Sequence, residues 1–155
     1  MTDVEHTSRR LVIVLPDSYD DARTRYEQLA PPVDYPAFAA ATSWEETLAV
    51  AESKAPHGFM VYFRIDVTAA MTGSASRWPA TQYLMGNHTI AETMFRHDPS
   101  VILHAPLRTV IYTDRNGTTT LTVDQPSLLF ASYGNPDIAA VGEHLDGLLA
   151  NSRLG

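Results

Sequence analysis

The sequence has no cysteine among its 155 residues, which removes thiol nucleophiles, thiolate-held zinc, iron–sulfur clusters and disulfide frameworks at once. Lysine is nearly absent: Lys54 stands alone, and arginine supplies the other fixed positive charges. Eleven Lys and Arg face eighteen Asp and Glu, a formal net charge of -7, so neither a nucleic-acid backbone nor an anionic membrane is an expected partner. Long apolar runs are missing as well. Leu11–Leu15, after a polar N-terminus, is too short for a secretory core or a membrane-spanning helix, and the expectation is a cytoplasmic protein.

What remains is globular. Hydrophobic residues make up 45% and charged residues 19%, and a domain of this size buries roughly two thirds of the surface its unfolded chain exposes, without help from metals or disulfides. There is no internal repeat. The proline-rich stretch from Ala30 to Pro36 and the Ala/Ser/Thr/Gly-rich stretch from Thr68 to Pro79 read as loops inside one unit. The division is a flexible N-terminus over 1–10 and a single α+β domain over 11–151.

Leu11–Leu15, closed by Pro16, predicts a central strand. Tyr19, Ala22, Tyr26 and Leu29 recur at spacings of three and four and predict a helix starting at Asp17 or Ser18. Ser43 with Glu46 has the form of a capping box, opening a helix that turns Trp44, Leu48 and Ala51 inward. From Phe59 to Val67 the residues alternate: Phe59, Val61, Phe63, Ile65 and Val67 on one face, Met60, Tyr62, Arg64 and Asp66 on the other. The mixed face reads first as solvent-exposed. Its functional reading is a pocket wall carrying Tyr62, Arg64 and Asp66. Thr81–Met85 predicts a further strand, and Thr89 with Glu92 a second capping box on a short helix. Asn116-Gly117 joins two strands as a hairpin, and Asn135-Pro136 opens a last helix striped by Ile138, Val141, Leu145 and Leu148. Helices are expected on one face of a mainly antiparallel sheet.

Signatures of common chemistry fail. No glycine-rich phosphate cradle, dinucleotide fingerprint, nucleophile elbow, helical zinc pair or acidic calcium loop is present, so no cofactor and no metal is expected. His88, His97 and His104 do lie in one segment, near Glu92 and Asp98. His88 with Glu92 is too sparse a pattern for a metal site. As a helix-start residue, His88 is held neutral by the dipole and suits acid–base or hydrogen-bonding work. His97-Asp98-Pro99 reads as a helix-ending turn. Trp78, between Arg77 and Pro79, suits a ligand or partner contact.

From Phe59 onward the chain resembles the domain-of-unknown-function 302 family, TT-type small bacterial and archaeal proteins. The resemblance rests on Phe63-Arg64-Ile65-Asp66, Tyr83-Leu84-Met85-Gly86-Asn87, Ala105-Pro106-Leu107-Arg108, Val110-Ile111-Tyr112, the Asn116-Gly117 hairpin and Asp124-Gln125-Pro126-Ser127-Leu128-Leu129. It implies a fold similar to the TATA-binding protein: β-α-β(4)-α, a curved antiparallel sheet with helices on one side, and a homodimer. The family pattern usually has His where this chain has Val67, and Pro where it has His88.

The leading functional expectation is a domain that binds a hydrophobic small molecule in a pocket between sheet and helices or at a dimer seam. Its expected lining is Tyr62, Arg64, Asp66, Tyr83, Asn87, His88, His104 and Tyr112. A rival is an enzyme without organic cofactor, of cyclase, isomerase, lyase or hydrolase type. There His88 is the acid or base, Asp66 or Glu92 orients it, and Arg64 or Asn87 holds a developing oxyanion. The third is a structural or protein-interaction module.

Overall fold

A computed structural model describes residues 2–151. The strand expected near the start forms as β1 (Arg10–Val14). The Ser18 hydroxyl then accepts from the Asp21 N–H and caps α1 (Tyr19–Leu29), with Asp20 and Asp21 in the first turn, where the dipole favours negative charge. Its expected stripe packs inward, Ala22 and Tyr26 fully buried and Tyr19 and Leu29 at the margin of the core.

The proline-rich stretch expected as a loop runs into a helix, α2 (Tyr35–Ala40). Asp34 caps it, and Pro36 sits in the first turn, where a missing N–H breaks no helical bond. The Ser43 cap of α3 (Trp44–Lys54) forms, but the Glu46 carboxylate turns to the Thr42 N–H and hydroxyl. Of the three residues expected inward, only Ala51 is buried. Trp44 and Leu48 stay 44% and 43% exposed, and α3 packs against other helices.

β2 (Met60–Asp66) passes directly into the one-turn α4 (Val67–Ala70), capped by Asp66. β3 (Ala80–Gly86), α5 (His88–Phe95) and a 3-10 turn (Pro99–Leu103) follow. The hairpin of β4 (Leu107–Thr113) and β5 (Thr119–Asp124) turns at Gly117 with φ 82, while the Asp114 carboxylate accepts from the N–H groups of Asn116 and Thr118. The chain closes with α6 (Pro126–Ala131), which the sequence pattern did not reveal, and α7 (Pro136–Asn151).

The five strands form one sheet in the order β1-β5-β4-β3-β2, each antiparallel to its neighbours. The fold is α+β on the β-α-β(4)-α plan. Residues opposite one another across the strands share a face. Leu11, Val123, Thr109, Tyr83 and Arg64 make one row beneath the helices; Val12, Thr122, Val110, Gln82 and Ile65 make a row on the other face. α1 docks through polar contacts within an apolar layer: the Tyr26 hydroxyl lies 2.6 Å from Thr109 Oγ1 and the Tyr19 hydroxyl 2.7 Å from Thr81 Oγ1. These bonds satisfy threonines that are otherwise buried without a partner.

α6 and α7 pack at very close range. A Cβ on Gly142 would stand 3.0 Å from Ser127 Cα and 3.1 Å from Phe130 Cβ. Gln125 gives α6 no side-chain cap; instead Asp146, a turn beyond Gly142 on α7, accepts from the Ser127 N–H at 3.1 Å. Among the described residues no helix is long and apolar enough to cross a membrane.

Candidate functional site

The alternation expected through Phe59–Val67 breaks at one residue. Val61 pairs with Met85 and Phe63 with Leu84, so Tyr62 has no partner in the ladder. This β-bulge puts Val61 on the helical face and Phe63 and Ile65 on the opposite one, with Phe63 48% exposed. The Val61 backbone is bonded outward: its N–H donates to the Pro31 carbonyl and its carbonyl accepts from the Val33 N–H. Tyr62, released from the pleat, reaches the start of α5.

α5 begins one residue before the expected start. Asn87 is its cap, not Thr89: Asn87 Oδ1 accepts from the Thr89 N–H at 3.0 Å and from the Thr89 hydroxyl at 2.7 Å. His88 is therefore the first helical residue. Its N–H donates to the Tyr62 hydroxyl oxygen at 2.9 Å, and its Nδ1 lies 2.6 Å from the same oxygen. A phenol has one proton, and the arrangement that satisfies every group sends it to Nδ1, which places the imidazole proton on Nε2. The Phe38 ring meets the imidazole edge-on, 4.4 Å between centroids. Burial lowers the His88 pKa below the usual histidine value and pushes Tyr62 up to about 12. Both groups are neutral at pH 7.

The couple borders a half-open apolar cavity of about 220 Å³. Phe59, Met94, Phe130 and Leu145 form buried walls, and Tyr62, Asn87 and His88 provide the polar side chains. Three expected site residues thus meet at one cavity.

The others lie elsewhere. Tyr83 is buried in the core, its hydroxyl donating to Glu27 Oε1 at 2.8 Å, and Arg64 Nε holds the same carboxylate oxygen at 3.0 Å. Burial, followed by the Glu27 contact, raises the Tyr83 pKa. Asp66 Oδ1 accepts from the Ala69 N–H at 2.9 Å as the cap of α4, and Glu92 pairs with Arg96 one turn along α5. The position that orients His88 is filled by Tyr62. His104 and Tyr112 line a separate open groove of about 920 Å³ on the helix-free face, with His6 and Arg108. Burial, then the neighbouring His6, lowers the His104 pKa. His97 stands 3.8 Å from Asp137. Among the described residues, no three His, Asp or Glu gather closely enough to hold a metal ion.

Sequence reasoning missed Phe38, because α2 was not anticipated, and Glu27, whose link to Arg64 and Tyr83 joins distant parts of the chain. The spacing of Ile90 and Met94 on α5 was the legible signal for an apolar wall.

Residues 37–152 match the sequence model of the domain of unknown function DUF302. The chain belongs to the DUF302 family. All of the cavity lining, and Phe38 with it, falls inside the matched region. In three dimensions this DUF302 domain is similar to the crystal structure of an uncharacterized conserved DUF302 protein from Bacillus stearothermophilus. The TM-score is 0.68 at 16% identity, over 92% of this chain and 94% of that one. At that identity the likeness speaks for the fold. No curated protein matches the sequence.

Proposed function

We propose that this DUF302 domain binds a small apolar molecule in the cavity beneath α5. The observation that carries the reading is an apolar chamber with one neutral polar couple, Tyr62–His88, at its rim. Ligand sites are built this way, with many apolar walls and a few fixed polar groups that set orientation. An apolar protein cavity of about 150 Å³ takes up benzene, so about 220 Å³ suits a single substituted ring or a short branched chain. Native mass spectrometry of gently purified protein tests this. A discrete non-covalent extra mass, absent after Ala91→Phe fills the chamber, is the expected result. An empty wild-type protein that also takes up no small aromatic probe would overturn it.

The couple supports a second, catalytic reading. A neutral imidazole at physiological pH, oriented by a phenol, is equipped to move a proton on a bound hydrophobic metabolite as acid or base. Turnover of the co-purified molecule, lost in His88→Ala, is its test.

The helix-free face of the sheet supports the homodimer. Val12, Val14 and Phe63 are 58%, 65% and 48% exposed there. Leu103 at the groove edge is 80% exposed. Exposed apolar side chains on a sheet face with no helices packed over it favour association through that face.

A further inference from the structure

The polar side chains at the cavity have donors to offer and their acceptors are already engaged. Asn87 Oδ1 accepts twice from Thr89, and one of those donors is a backbone N–H, which fixes the amide orientation and leaves Nδ2 as the outward group. The Tyr62 oxygen accepts from the His88 N–H and gives its proton to Nδ1. The imidazole proton is then on Nε2. Neither Nδ2 of Asn87 nor Nε2 of His88 has a hydrogen-bond partner among the described residues. The remaining side chains of the lining are hydrocarbon or thioether.

Among the described residues no cation lines the cavity. Arg64 is committed to Glu27, and the chain as a whole carries a formal charge of -7. A carboxylate carried into this chamber would lose its water with no opposite charge to replace it. An alcohol or amine would bring donors that find no side-chain acceptor, and a plain hydrocarbon would leave two donors dry.

We infer that the molecule held beneath α5 is a small neutral carbonyl compound, a ketone, aldehyde or ester with an aromatic or branched apolar body. Its oxygen accepts from His88 Nε2–H and Asn87 Nδ2–H. The inference rests on the binding reading proposed above and adds the chemical class of the ligand.

Four probes of one skeleton separate the cases: acetophenone, 1-phenylethanol, ethylbenzene and benzoate. Dissociation constants come from ligand-detected NMR on the full chain, and the infrared carbonyl stretch of 13C-labelled acetophenone reports the hydrogen bonds directly. Acetophenone is expected to bind about tenfold tighter than ethylbenzene, with 1-phenylethanol between them, benzoate weakest, and a carbonyl stretch lowered on binding. Asn87→Asp keeps the cap oxygen but removes the Nδ2 donors. It should bring the ketone and hydrocarbon affinities close together and move the stretch back up; His88→Phe should act in the same sense. Equal affinities for ketone and hydrocarbon with an unshifted stretch would overturn the carbonyl assignment and leave the apolar cavity reading standing. Benzoate as the tightest ligand would overturn the neutrality of the ligand. Failure of all four to bind at millimolar concentration, in protein with a folded NMR spectrum, would overturn both readings.

Discussion

At the scale of single residues, the Tyr62 hydroxyl stabilises two groups of His88, one in the backbone and one in the ring. Tyr62→Phe keeps the ring and strands both. Leaving a part-buried polar group unpaired costs about 1–3 kcal/mol, so the urea midpoint should fall accordingly, and the 15N shifts of the His88 imidazole should show its tautomers mixing. Titration adds a second test. The folded-state pKa of His88 lies below its unfolded value because burial disfavours the cation. The associated stability is complete above the ordinary histidine pKa of about 6.5 and is lost as pH falls below it, where the unfolded chain takes up protons first. Melting temperatures measured from pH 8 down to pH 5 should decline, and His88→Phe should flatten part of that decline. His104, shifted the same way, accounts for a further part.

At the scale of elements, the helices that announced themselves in the sequence carry local signals: the caps at Ser43 and Asn135 and the stripe on α1 read correctly, and α1 starts within two residues of the expected Asp17 or Ser18. α2 and α6 carry none of that length. Each is six residues long, too short for an apolar period to repeat, and α6 is capped from α7 by Asp146, across nineteen residues of sequence. The strand Phe59–Val67 misled for another reason. Its alternation is real in the sequence, but the bulge at Tyr62 arises from the bond pattern between Val61 and the 31–33 segment, which no local pattern encodes. That one shift decides which expected site residues converge, so Tyr62, Asn87 and His88 meet while Arg64, Tyr83, His104 and Tyr112 serve other places. The α6–α7 contact gives the prediction at this scale. Gly142→Ala inserts a methyl 3.0 Å from Ser127 Cα, and overpacking of this kind costs about 1–3 kcal/mol. Chemical denaturation should show the loss, with far-UV circular dichroism at 20 °C unchanged.

At the scale of the whole molecule, the sheet divides the chain's labour. One face holds the core and the cavity; the other presents Val12, Val14 and Phe63 to its surroundings. If that face is the seam of a homodimer, sedimentation equilibrium should return twice the 17.1 kDa chain mass, and Val12→Lys with Phe63→Lys should return the monomer. Two chains each of formal charge -7 repel at long range. Raising the salt concentration should therefore tighten the association through screening, the opposite of what a seam built on ion pairs would do.

The bulge at Tyr62 also bears on how the sheet ends. An outer strand with a continuous row of unmet N–H and C=O groups is a template on which a further chain can grow, the route by which native sheets stack into fibres. β2 is such an outer strand. At Val61, however, both backbone groups already belong to the chain's own Pro31 and Val33, and the extra residue beside it interrupts the repeat that an added strand would have to match. The irregularity that frees the cavity's phenol thus also breaks up the edge on which a further strand would have to pair.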